Sequence, residues 1–200
     1  MRLILVRHGQ TDWNTEYRAQ GQSDVPLNDA GEAQAEAVAR ALRENPVSAI
    51  FSSPLSRAYR TAQAIRRFHE VDITADERLQ ELDLGDFDGR YYPSLETDAA
   101  EFFRLWNTDP PSARWPGGET LPELQRRVWE AVRDIISCNY PGSVVLTSHF
   151  FSLLTLLCRI LELSLFEFRR LNLSVGSISL VELTGEKGKL LSLNDTCHLD

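Results

Sequence analysis

Leu3-Ile4-Leu5-Val6-Arg7-His8-Gly9-Gln10-Thr11-Asp12-Trp13-Asn14 is the stretch from which the fold can be read. Its apolar opening, with β-branched Ile4 and Val6, has the length and composition of a buried strand. It runs straight into a cation, an imidazole and a glycine. In open α/β sheets ligands bind beyond the carboxyl ends of the strands, so Arg7 and His8 are placed to meet one. Gly9 is expected to let the backbone turn and a ligand approach it closely. The segment reads as an anion-handling catalytic loop.

The same design recurs along the chain. Apolar runs at 49–51 and 144–147 are equally short, and each precedes a helical pattern. Such alternation predicts an α/β fold, a three-layer α/β/α sandwich with a mainly parallel central sheet. Ala35, Val38, Ala39 and Leu42, spaced i, i+3, i+4, i+7, predict an amphipathic helix near 30–44, capped by Asn28 or Asp29. Ser53-Pro54 predicts another helix start, a hydroxyl cap followed by proline in the first turn. Thr120-Leu-Pro-Glu123 reads as a capping box opening a helix whose apolar stripe is Leu121, Leu124, Val128, Val132 and Ile135. Residues 150–161 are apolar nearly all round and predict a buried helix. Residues 90–118 mix aromatics with Pro and Gly, and mark a lid insertion within a single domain spanning 1–200.

Composition narrows the function. With 200 residues and a formal charge of −8, at a pI near 5.1, the chain is no general binder of nucleic acid or anionic membrane. Lysine occurs only at 187 and 189; arginine, which grips oxyanions in bidentate fashion, carries the rest of the positive charge. Cys138, Cys158 and Cys197 are odd in number and lack C-x-x-C spacing, which fits a reduced, cytoplasmic protein. No charged-then-apolar leader precedes the first strand, in keeping with that location. The apolar run Phe150–Leu157 is far short of the ~20 residues that span a membrane. His69 and His198 read as surface groups, and the four histidines show no metal-ligand spacing.

Three strand-to-helix junctions hold the reactive side chains. The first brings Arg7 and His8, the second Arg57 in the first turn after Ile50-Phe51-Ser52-Ser53, and the third His149 after Val144–Ser148. If these strands are parallel neighbours, two guanidinium forks and two imidazoles converge where a phosphate could be held. A histidine nucleophile needs a neutral ring nitrogen, and the departing alcohol needs a proton donor. Glu81 is the favoured donor, though Asp83, Asp86 and Asp88 lie close by in sequence.

Leu5-Val-Arg-His-Gly-Gln-Thr11 with Asn14 resembles the signature of the histidine phosphatase superfamily, the phosphoglycerate-mutase-like group. Nearly the whole chain follows it: Gln20-Gly21 through Leu27, Gly31-x-x-Gln34-Ala35, Ser52-Ser-Pro-Leu-x-Arg57-Ala-x-x-Thr61-Ala, Leu79-x-Glu81-x-x-x-Gly85, Gly117-Gly-Glu-Thr120 and Ser148-His149. The resemblance implies that His8 carries the phosphoryl group. It implies that Arg7, Arg57, His149 and Asn14 bind phosphate oxygens, that Gln20 and Gly21 lie beside the phosphate or leaving group, and that Glu81 is acid and then base. It implies no metal and no cofactor, a small-molecule phosphate ester as partner, and a homodimer as the assembly to look for. One departure stands out. The family usually has Gly after the second histidine, and Phe150-Phe151 stand here; the Phe150 N–H is still expected to reach phosphate, beside a bulkier side chain.

The chain length and the Glu-x-x-x-Gly-x-x-x-Gly pattern resemble the phosphatase branch, hence a metal-independent phosphomonoester hydrolase. The alternatives are a phosphoglycerate-mutase-type phosphoryl transfer and a non-catalytic phospholigand-binding module.

Overall fold

The computed structural model describes residues 1–199. Strand β1 (Arg2–Arg7) is followed by a short helix α1 (Asp12–Thr15) and by α2 (Asp29–Leu42). Then come β2 (Val47–Ser52), α3 (Ser56–Arg66), β3 (Ile73–Ala75), α4 (Tyr92–Asp98), α5 (Ala100–Thr108) and α6 (Leu121–Ser137). The chain closes with β4 (Ser143–Ser148), α7 (Phe150–Ile160), β5 (Ile178–Thr184) and β6 (Lys187–Asp195). The six strands form one sheet in the order β3-β2-β4-β1-β5-β6. The first four of that order run parallel, whereas β5 and β6 are antiparallel to their neighbours.

Period-2 alternation builds the layers. Leu3 and Leu5 of β1, with Val144 and Leu146 of β4, face the core beneath α6 and α7. Ile4, Val6 and Val145 face the opposite core, against Ala35, Val38 and Ala39 of α2 and Ile65 of α3. The predicted stripe of α6 is buried throughout, and its capping box is formed by Thr120 and Glu123. Helix α2 is capped by Asn28, whose side chain accepts the Gly31 N–H at 2.9 Å.

One local expectation is corrected. Helix α3 starts at Ser56, and Ser53 does not cap it. The Ser53 hydroxyl instead bonds a histidine ring at 2.8 Å, and Asp24, from a distant loop, accepts both the Ser56 N–H and the Ser56 hydroxyl at 2.7 Å. Gly9 is needed for packing: a Cβ there would collide with the Gly31 carbonyl in the first turn of α2.

Strand β6 is a long outer edge of the sheet. Both lysines lie on it and are exposed. Lys189 pairs with Glu182, which pairs with Arg2, so they sit beside the amino end of β1. Lysine on an edge strand discourages further strand pairing.

Candidate active site

Register brings the three junctions together. Arg7 pairs with Ser148 across β1 and β4, and Ser52 pairs with Thr147 across β2 and β4. His8, Ser53 and His149 therefore leave the sheet side by side. The His8 and His149 ring centroids are 5.2 Å apart.

Hydrogen bonds fix both tautomers. His8 Nδ1 lies 2.7 Å from the Gly9 carbonyl. A carbonyl only accepts, so Nδ1 carries the proton and Nε2 keeps its lone pair. At His149 the logic reverses: Arg57 Nε–H donates to Nδ1 at 3.2 Å, so Nε2 carries the proton and donates to Ser53 Oγ at 2.8 Å. Burial, reinforced by the positive charges of Arg57 and Arg7, drives both imidazoles well below their ordinary pKa. Both are neutral near pH 7.

Arg57 is a buried cation and Arg7 a half-buried one. Burial lowers each guanidinium to about 10, with Glu81 opposing, so both remain charged. Arg7 donates from Nη1 to the Leu173 carbonyl at 2.5 Å and lies 4.9 Å from the centroid of the Phe150 ring. Its Nε is buried without a partner. Arg57, fully buried, donates to the carbonyls of Ser23 and Gly21 at 2.8 and 2.7 Å. Asp88 holds the same loop from its other side, accepting the N–H groups of Gly21 and Ser23, each at 2.8 Å. That binds Asp88 to the loop and separates it from Glu81.

Glu81 is 4% exposed and its carboxyl group meets the amino end of α7. Oε1 accepts the N–H groups of Leu82 and Ser152 at 2.8 and 3.1 Å, and Oε2 accepts that of Phe151 at 3.1 Å. Burial raises its pKa, while these N–H groups and the two arginines pull the other way.

A cavity of about 170 Å³ opens here. Arg7, His8, Asn14, Gln20, Glu81 and Phe150 line it, and so do Arg18, Tyr92, Trp115 and Phe151, which sequence reasoning did not single out as site residues. Arg57, His149 and Gly21 stand behind this wall. Asn14 and Gln20 are joined by an Nδ2–H···Oε1 bond of 3.2 Å. Trp106 packs between Trp115 and Phe151 and belongs to the core. A larger groove on the outer face of α3 is lined by Arg60, Arg66 and Arg67, each already paired with a carboxylate. Among the described residues no group of three His, Cys, Asp or Glu could hold a metal ion, and no helix is long and apolar enough to cross a membrane.

The bonds that Asp24 and Ser53 make here were not readable beforehand, because their partners Ser56 and His149 lie 32 and 96 residues away. The signal for Asp88 was present but ambiguous, one carboxylate among four.

Comparison with known proteins identifies the family. The family model of the histidine phosphatase superfamily, branch 1, matches residues 3–196. Phosphoserine phosphatase 1 of Hydrogenobacter thermophilus is 31% identical, covering 100% of this chain and 94% of the relative. A probable phosphoglycerate mutase of Salmonella choleraesuis is 39% identical over 91% of this chain and 85% of its own length. A mycobacterial glucosyl-3-phosphoglycerate phosphatase, solved with vanadate, superposes with a TM-score of 0.89 at 30% identity, covering 98% of this chain and 99% of that one. The chain belongs to the histidine phosphatase superfamily, branch 1, and is an enzyme of the histidine phosphatase type.

Proposed function

We propose that this enzyme hydrolyses the phosphomonoester of a small metabolite through a phosphohistidine at His8. The observation that carries the reading is the His8 ring, held neutral with Nε2 unprotonated under the positive charges of Arg57 and Arg7. Arg7, Arg57 and the Phe150 N–H neutralise charge on the phosphoryl oxygens. His149 keeps Arg57 oriented, and Asn14 and Gln20 border the leaving group.

His8 Nε2 attacks phosphorus as the P–O bond to the alcohol breaks, and Glu81 gives its proton to the departing oxygen. Oε2, which has fewer hydrogen-bond partners than Oε1, is the atom with room for that proton. Water then attacks phosphorus, Glu81 takes the water's proton, and the N–P bond breaks to release phosphate. Residues 90–118 cover the cavity as its lid within one domain.

The similarity to a probable phosphoglycerate mutase favours a second reading, in which the phosphoryl group returns to another hydroxyl. Both readings share the first step. Rapid quenching with labelled substrate should trap an acid-labile, base-stable phosphoryl group that His8→Asn abolishes; label persisting in that variant refutes the nucleophile. A panel of phosphorylated metabolites, assayed for free phosphate and for isomerised product, separates hydrolase from mutase.

A further inference from the structure

Residues 81–84 lie in neither helix nor strand, and yet Glu81 is buried. Buried backbone groups require hydrogen-bond partners. The hydroxyls of Ser148 and Ser152 donate to the carbonyls of Leu79 and Gln80, each at 2.7 Å, Gln22 Nε2 donates to that of Glu81 at 3.2 Å, and a further set comes from one ion pair. Arg127, on α6, donates from Nη1 to the carbonyls of Arg78 and Gln80 at 2.9 and 2.7 Å. Its Nη2 donates to the carbonyl of Glu81 at 2.7 Å and to Glu119 Oε1. Its Nε donates to Glu119 Oε2 at 3.1 Å. Every N–H of a guanidinium is thereby used. Glu119 completes the clamp: Oε1 accepts the Asp83 N–H at 3.0 Å, and its own N–H donates to the Asp83 carbonyl at 3.1 Å.

We propose that the Glu119–Arg127 pair is the positioning device for Glu81. Resting on the reading of Glu81 as acid and base, this assigns neither partner any contact with substrate. The bonds straddle Glu81, with carbonyls of 78, 80 and 81 on one side and the peptide of Asp83 on the other. The same helix reaches the other support of the carboxyl group, since Gln125 Nε2 donates to the Thr155 carbonyl of α7 at 2.9 Å. Helix α6 therefore sets both the backbone that carries Glu81 and the helix whose N–H groups receive it. A proton donor displaced by a fraction of an ångström loses much of its effect, whereas the phosphate pocket, built on other strands, is left as it was. Lysine cannot replace arginine here, because a point charge does not span the fork of carbonyls and carboxylate.

The test compares Arg127→Met, Arg127→Lys and Glu119→Gln with Glu81→Gln in the full chain. Each is assayed for kcat/KM on p-nitrophenyl phosphate and on a series of alkyl phosphates, with circular dichroism and Tm alongside. Arg127→Met should lower kcat/KM about 100-fold for alkyl phosphates and no more than about fivefold for p-nitrophenyl phosphate, whose leaving group needs little protonation. Arg127→Lys should recover only part of the loss, and Glu119→Gln should show the same bias more weakly. Folded variants with equal losses on all esters overturn the proposal, and so does loss of the fold in all three, which assigns the pair to stability alone. Bias in Glu81→Gln without bias in the other variants removes the positioning role and leaves Glu81 in place. Absence of bias in Glu81→Gln itself removes both.

Discussion

At His8 and His149 a single proton per ring sets the chemistry, and the partner that fixes it is different in kind. A carbonyl beside His8 leaves Nε2, the nucleophile we propose, unprotonated; a guanidinium beside His149 turns that ring into a brace. In the proposed mechanism the cations that face the phosphoryl group, Arg7 and Arg57, are built in, so exhaustive chelation should leave turnover unchanged, and a loss restored only by added divalent metal would refute this. The mouth of the cavity offers another cation. Arg18 bonds Glu16 at 2.6 Å and the Gly89 carbonyl at 3.0 Å while lining the wall. Arg18→Ala should raise KM about tenfold for phosphate esters that also carry a carboxylate and leave p-nitrophenyl phosphate unaffected, the loss of one charge-assisted contact; equal KM shifts for both kinds of ester would exclude the role. Arg7-His8 was legible in sequence because strand, cation and imidazole are contiguous. Glu81 was less so, because spacing does not say which of four neighbouring acids points inward. The N–H groups of α7 and a place on the cavity wall distinguish it from Asp88, which is bound to the loop of Gly21 and Ser23.

Helix starts show the same division between near and far. Thr120 and Glu123 cap α6 from within three residues, and the motif is readable at sight. Helix α3 takes its cap from Asp24, 32 residues upstream of Ser56, so sequence pointed to Ser53, the nearest hydroxyl. The remote cap has a functional side, because Asp24 also anchors the loop whose carbonyls hold Arg57. Asp24→Ala should cost about 1 kcal/mol, or some 2–4 °C in Tm, and should raise KM as Arg57 loosens. An unchanged KM would mean that Asp88 alone fixes the loop. Helix α7 is likewise capped from afar, by Glu81, which couples its first turn to the acid and base we propose.

Over the whole molecule the buried histidines and Glu81 make stability depend on pH in opposite directions. His8 and His149 have lowered values in the fold, so as pH falls below 6.5 the unfolded chain takes up protons that the folded chain refuses, and stability declines. Glu81 has a raised value, so between 4.5 and that value the folded chain holds a proton the unfolded chain has lost, and stability grows as pH falls. The two effects oppose each other, so Glu81→Gln, which removes the carboxyl group's contribution, should make stability fall more steeply as pH drops below 6.5. Denaturant titrations from pH 6.5 to 5 check this, and an unaltered slope would place Glu81 ionised in the fold. The layered architecture itself was legible, because alternating strand faces and helical stripes are local patterns. The antiparallel pair β5-β6 was not anticipated, its exposed edge giving no continuous apolar run. That edge has a practical side. Arginine is inert to amine-selective reagents, and both ε-amines of the chain sit beside the amino end of β1, five residues of extended strand, about 17 Å, from the mouth of the cavity. Coupling through lysine to a bead, a dye or an electrode should thus tether every molecule by its base, with the catalytic opening turned toward the solution.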